Sequence, residues 1–265
     1  MIVTAAYPKS GSTWIQSLIH YCTIGEMYYS SKEENLLYYK VKTERSLILK
    51  KISFGDLFYM KIHFAYEPKQ LPHYNSIRAC IYILRHPLDI LSSKVNHIDL
   101  TNGAQELSAS ERSQIVMNEL EKANDLPSSE NNFAGGWNRH VESWMRQKEI
   151  PVYMIRYEDL LDNTFAIMTK LNNELQLGMT EQRIIKGCEL ASFSRMKERE
   201  SYEISQDILG IFSQPIRRKA FMKKGISFIN KGVVGNYKNV LNQSEIEVAQ
   251  EVFRPMLDKY YSDYT

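Results

Sequence analysis

The segment Tyr7-Pro8-Lys9-Ser10-Gly11-Ser12-Thr13-Trp14 combines the residue types that hold a phosphate. Glycine lets the backbone approach a ligand closely. The hydroxyls of Ser12 and Thr13 add donors at the start of a helix, where free N–H groups and the dipole favour an anion. Lys9 adds a mobile positive charge. An ordinary N-cap at Ser10 or Ser12 would need neither the lysine, nor a preceding strand, nor four small polar residues in a row. The lysine precedes the glycine, so this is not the Gly-x-x-x-x-Gly-Lys-Ser/Thr loop of common ATP and GTP enzymes. A lysine entering from the strand side reaches a different part of the ligand.

Lys61 and His63 close the aromatic stretch at 57–63, and strand alternation puts both on one face at its end. A neutral imidazole there can take a proton from an attacking hydroxyl or amine, because its ordinary pKa lies near working pH. A lone histidine in an aromatic strand is more often only packed, and the pairing with Lys61 weighs against that reading. Arg85 ends the apolar run 79–84 and has the planar fork that grips phosphate oxygens in pairs. A helix starting at Pro87 would put Asp89 and Ser93 one turn apart on one face.

These residues need a scaffold that brings strand ends together. Strands are expected at 2–7, 57–63, 79–84 and 152–155, and helices after residue 12, from Pro87, at 110–123, 158–177 and 243–261. Short apolar strands alternating with helices imply an α/β domain whose mostly parallel central sheet is flanked by helices, with ligands beyond the carboxyl ends of the strands. Lys9, His63, Arg85 and Arg156 would then converge on one crevice. No boundary or repeat divides residues 1–265. The stretch 99–133 reads as an excursion over the site, a lid or a surface insertion. The basic residues Arg217-Arg218-Lys219 and Lys223-Lys224 read as solvated.

Composition narrows the partners. Lys and Arg total 33 against 31 Asp and Glu, too balanced for the single-sign field of a nucleic-acid or membrane-surface binder. Cys22, Cys80 and Cys188 form neither a disulfide framework nor a zinc site, and no clustered His/Cys/Asp set suggests any metal. The N-terminus lacks a basic leader, and no run approaches the ~18 apolar residues of a membrane span. A cytoplasmic monomer or homodimer is the expectation.

The loop at 7–14 resembles the 5′-phosphosulfate loop of the cytosolic-type sulfotransferase family, which uses 3′-phosphoadenosine 5′-phosphosulfate (PAPS). Four further stretches match in the family's order: Lys61-Ile62-His63, Arg85 through Ser93, Tyr157-Glu158-Asp159, and 228–238 with its Lys231-Gly232. The likeness spans residues 1 to about 240. It implies a P-loop-like nucleotide fold, transfer of a sulfuryl group from PAPS to a small molecule, and release of adenosine 3′,5′-bisphosphate (PAP). On the family's pattern Lys9 contacts the sulfate, Ser10, Gly11, Ser12 and Thr13 hold the 5′-phosphate, and Trp14 and Phe193 flank the adenine. Tyr157 helps seat the base, Arg85 and Ser93 bind the 3′-phosphate, and Lys231 and Gly232 close over it. His63 is the expected general base, with Lys9 and Lys61 supplying the field that in-line transfer needs.

Departures accompany the likeness. Asn230 stands where the family usually has Arg, Asn236 and Tyr237 replace Asp and Trp, and Ile62 replaces Thr. The compact chain lacks the N-terminal extension usual in animal members and is similar to bacterial enzymes that decorate natural products, which suggests a secondary-metabolite alcohol, phenol or amine as acceptor. Glu26, Glu33, Glu34 and Asp99 would favour a cationic one. The rivals are a nucleotide-dependent kinase, which predicts the missing Gly-x-x-x-x-Gly-Lys loop, and a non-catalytic nucleotide-binding protein, which predicts loss of His63 or Lys9. A Golgi-type carbohydrate sulfotransferase predicts an anchor and a carboxylate base.

Overall fold

An all-apolar strand must be covered on both faces, and that requirement sets the architecture. The computed structural model describes residues 1–24, 37–40, 48–54, 57–71, 73–101, 107–128, 134–208 and 214–263. Strand β1 (Ile2–Ala6) leads into helix α1 (Ser12–Ile24), followed by β2 (Leu37–Lys40), β3 (Ile48–Phe54), β4 (Leu57–Ile62) and β5 (Ala79–Leu84). Helices α2 (Pro87–Thr101), α3 (Ala109–Glu121) and α4 (Trp137–Arg146) precede β6 (Val152–Arg156). Helices α5 (Tyr157–Asp162), α6 (Thr164–Leu175), α7 (Glu181–Leu190), α8 (Phe193–Ser205), α9 (Pro215–Lys224) and α10 (Gln243–Tyr260) complete the order.

The sheet runs β2-β3-β4-β1-β5-β6. Strands β4, β1, β5 and β6 are parallel, and the hairpin partners β2 and β3 add antiparallel strands at one edge. Every residue of β1 and β5 is buried. Val3 and Ala5 with Cys80 and Tyr82 face a core that holds Trp137 and Trp144, while Ile2 and Ala6 with Ile81 and Ile83 face α1, α6 and α7. This is the expected single α/β domain with its sheet between helical layers. No helix among the described residues is long and apolar enough to cross a membrane.

Several boundaries differ from the expectations, each for a local reason. The helix expected over 158–177 breaks at Asn163, whose extended φ of −144° and side-chain acceptance from the Ala166 N–H cap α6 instead. Strands β2 and β3 were not foreseen. Helix α3 starts at a capping box between Ser108 and Glu111 and docks Val116 and Leu120 into the main core, so it is a packed layer rather than a detached excursion. Residues 102–106 and 129–133 of that stretch lie outside the described residues.

Helix α7 crosses α1 at Gly187, and there Cys22 donates from Sγ to the Ile184 carbonyl at 3.8 Å. A Cβ on Gly187 would lie 2.7 Å from the Cys22 backbone nitrogen. Helix propensity alone favours Ala over Gly by about 1 kcal/mol. The collision is with backbone and outweighs that gain. Gly187→Ala is therefore expected to destabilise the protein by roughly 1–3 kcal/mol, read as a lower midpoint in denaturant unfolding; a raised midpoint would contradict the close crossing.

Candidate active site

The turn after β1 is closed by a hydrogen bond from the Ser10 N–H to the Tyr7 carbonyl at 3.1 Å. Pro8 takes the second position and Lys9 the third, with φ of +76°. That is the angle at which type II turns ordinarily place Gly. Holding a lysine there costs about 1–3 kcal/mol of strain, the kind that collects at functional sites. Gly11 has φ of +91°, and a Cβ on it would lie 2.6 Å from the Tyr157 ring. Helix α1 makes its first hydrogen bonds from Trp14 and Ile15 to the Gly11 carbonyl. The preceding amides sit at the positive end of the helix, without intrahelical partners. Ser10 Oγ is buried and has no hydrogen-bond partner among the described residues.

Lys9 Nζ stands 5.3 Å from the centroid of Phe228. Burial first, then the charges of Arg217, Arg85 and Lys94, bring its ammonium pKa down to about 8. Lys61 Nζ donates to Thr13 Oγ1 at 3.3 Å, tying the end of β4 to the loop.

His63 follows β4 directly. The register that pairs Ala5 with Ile62 brings its Nδ1 to 2.7 Å from the Ala6 carbonyl. A carbonyl oxygen only accepts, so Nδ1 carries the hydrogen and Nε2 the lone pair. Burial, then the Lys61 charge, push the imidazole down to about 3. His63 as a residue is partly buried. Behind it the buried His140 binds the Tyr82 hydroxyl through Nδ1 at 2.7 Å and meets the Tyr7 ring edge-on at 5.5 Å.

Arg85 donates to the Lys9 carbonyl at 3.0 Å and lies 4.4 Å above the Tyr157 ring. Its buried Nε has no partner among the described residues. Ser93 lies two turns along α2 and is partly exposed. Trp14 donates from Nε1 to the Ala191 carbonyl at 2.9 Å and meets Tyr157 edge-on at 5.5 Å. Phe193, two residues beyond Ala191, begins α8 with 39% of its surface exposed. A Cβ on Gly232, whose φ is +63°, would collide with the Phe193 ring. Lys231 is exposed. The loop, Lys61, Arg85 and Tyr157 are thus one contact group, and Trp14, Phe193 and Gly232 meet at the α7–α8 junction beside it.

Two buried carboxylates hold the late segment in place. Asp89 accepts from the amides of Gly235 at 2.8 Å and Tyr237 at 3.2 Å. Glu200 accepts from Phe228 at 2.6 Å and Ile229 at 3.0 Å. The sequence placed Asp89 on one helix face with Ser93; its carboxylate oxygens clamp the segment that carries Lys231. Glu200 went unread because 197–200 looks like a solvated charge run. Its spacing of four from the buried Met196 was the available signal.

Other expectations are corrected. Arg156 does not join the crevice: it donates to Asp159 at 2.8 Å and pairs with Asp263 beside the chain's last helix. Arg217 is not solvated but half-buried over Phe228, while Arg218 pairs with Asp207. Asp99 is buried against Arg112 at 3.0 Å, so its charge is already met. Glu26, Glu33 and Glu34 lie outside the described residues.

The sulfotransferase-domain family model matches residues 1–261. The chain is similar to a 3-alpha-hydroxysteroid sulfotransferase of Cavia porcellus, 22% identical over 97% of this chain and 84% of that one. It is similar also to an amine sulfotransferase of Oryctolagus cuniculus, 23% identical over 96% and 79%. Among solved structures, a mouse sulfotransferase complexed with PAP superposes with a TM-score of 0.62 at 19% identity, covering 97% of this chain and 84% of that one. A retinol dehydratase in complex with androsterone and PAP gives 0.62 at 15%, covering 97% and 80%. Because the family match runs from β1 to the end of α10, the chain belongs to the sulfotransferase family.

Proposed function

We propose that this sulfotransferase takes its sulfuryl group from PAPS and passes it to the hydroxyl or amine of a small molecule, with His63 as general base. The observation that carries the reading is the His63 tautomer: Nδ1 is committed to the Ala6 carbonyl, which leaves the Nε2 lone pair for an incoming proton. The loop fits a phosphosulfate on two further counts. Ser10 Oγ and Arg85 Nε are buried donors without partners among the described residues, and desolvation of such groups is costly unless something answers them. The helix start beside them favours an anion.

When bound, PAPS supplies an electrophilic sulfur and a phosphate leaving group. Lys9, on its strained turn, offers positive charge where the leaving oxygen gains electrons, and Lys61 reinforces it from β4. Ser10, Gly11, Ser12 and Thr13 offer donors to the 5′-phosphate, and Arg85 and Ser93 to the 3′-phosphate. Trp14, Phe193 and Tyr157 form the adenine surround, and Lys231 and Gly232 its cover. The acceptor class follows the relatives, whose names include a hydroxysteroid and an amine sulfotransferase. A secondary-metabolite alcohol, phenol or amine is the reading for this chain.

Titration calorimetry with PAP against ATP tests the donor: PAP is expected to bind and ATP to bind far more weakly, and a preference for ATP would sink the reading. His63→Ala is expected to keep PAP affinity and to lose at least roughly a hundredfold in kcat; near wild-type turnover would remove the imidazole from the mechanism.

The pH profile has a definite sign. With an alcohol acceptor, which does not titrate in this range, kcat/KM should fall as pH rises through about 8, where Lys9 loses its proton. Because His63 titrates near 3, there should be no acid limb at the ordinary histidine value of ~6.5. Lys9→Arg stays charged throughout and should abolish the alkaline limb, whatever its rate. A limb near 6.5 in the wild type would show that the base is not held in this environment.

A further inference from the structure

Helix α9 packs against α2 through Ala220 and Leu100, joined by Ile226 and Phe228. Arg217 lies three residues before Ala220 and so shares its inward face, whereas Lys219, Lys223 and Lys224 stay exposed. The Arg217 guanidinium stands 4.4 Å from the Phe228 ring centroid, and Lys9 Nζ stands 5.3 Å from the same centroid. One aromatic ring therefore carries two cations, one from the first loop and one from a helix more than two hundred residues later.

Their proximity has electrical consequences. Arg217 depresses the Lys9 ammonium more than Arg85 does. His97, on α2, feels both charges and is held neutral, and its buried Nδ1 has no partner among the described residues. Glu200 is the carboxylate that most supports Arg217, yet its oxygens also serve the Phe228 and Ile229 amides. Two cations held together in a desolvated crevice repel, and an anion placed between them relieves that repulsion.

We propose that Arg217 is a second cation of the transfer centre, gripping the sulfuryl end of the donor together with Lys9. It does not replace, on this reading, the charge that Asn230 fails to supply to the 3′-phosphate. The guanidinium fork can hold two sulfuryl oxygens at once, which a lysine cannot. The inference rests on PAPS being the donor.

PAPS and PAP differ by the sulfuryl group, so their affinities separate the two ends. Calorimetric titrations without acceptor would compare wild type, Arg217→Gln and Arg217→Lys. Arg217→Gln should lose roughly tenfold or more in PAPS affinity while PAP changes less than about twofold, the scale of one charge-assisted contact. Arg217→Lys should fall between, keeping charge but not the fork. Retained PAP binding in either variant also reports an intact fold. Equal losses for PAP and PAPS would move Arg217 to the nucleotide end and overturn the proposal, as would unchanged PAPS affinity in both variants. Wild type that binds neither nucleotide would instead sink the donor assignment.

Discussion

Mutual repulsion among buried cations is the constraint around which this fold is arranged. Beyond its own burial, the charges of Arg217, Arg85 and Lys94 stand close enough to lower the proton affinity of Lys9. No collapse of apolar side chains alone would hold them there. The parallel strands do so, because β1, β4 and β5 end side by side and their carboxyl ends are the one place where polar residues can emerge together from a doubly covered sheet. Lys94 is balanced by Glu119 on α3. Arg85 donates to the Lys9 carbonyl, and Arg217 has Glu200 as its counter-charge.

Three buried carboxylates, Asp89, Glu158 and Glu200, serve as clamps on backbone amides. Asp89 and Glu200 each spend their oxygens on backbone amides of the segment 228–237, fixing it from two helices. Glu158 does the same for the His86 amide at 2.9 Å and accepts from the Tyr261 hydroxyl at 3.0 Å, tying the end of β5 to the last helix. An anion site lined by free carboxylates would repel its ligand. Carboxylates already hydrogen-bonded to amides supply rigidity.

Much of this was legible before any coordinates. The limits of β5 and the start of α2 follow from an unbroken apolar run ended by Arg85 and from a proline suited to a helix's first turn. Lys61 and His63 were paired by strand period alone. Other features were illegible because they depend on which face a helix presents. Arg217 sits in a basic run where any of three residues might have turned inward, and only Ala220 against Leu100 decides it. Arg156 ends a strand as Arg85 does, but β6 is the sheet edge, where Asp159 and Asp263 claim it. The kinase rival, weakened in the sequence by the lysine preceding the glycine, is set aside by the sulfotransferase family match over residues 1–261.

The position of Lys9 joins strain and repulsion in a single residue. Glycine would occupy its positive φ without cost, and a neutral side chain would remove its conflict with Arg217 and Arg85. Both changes favour the folded state, so stability alone does not account for lysine here. The strain is tolerable because the turn is held on both sides, by β1 in the centre of the sheet and by Gly11 packed on Tyr157. A turn so fixed does not need to reorganise when an anion or a developing charge comes beside it.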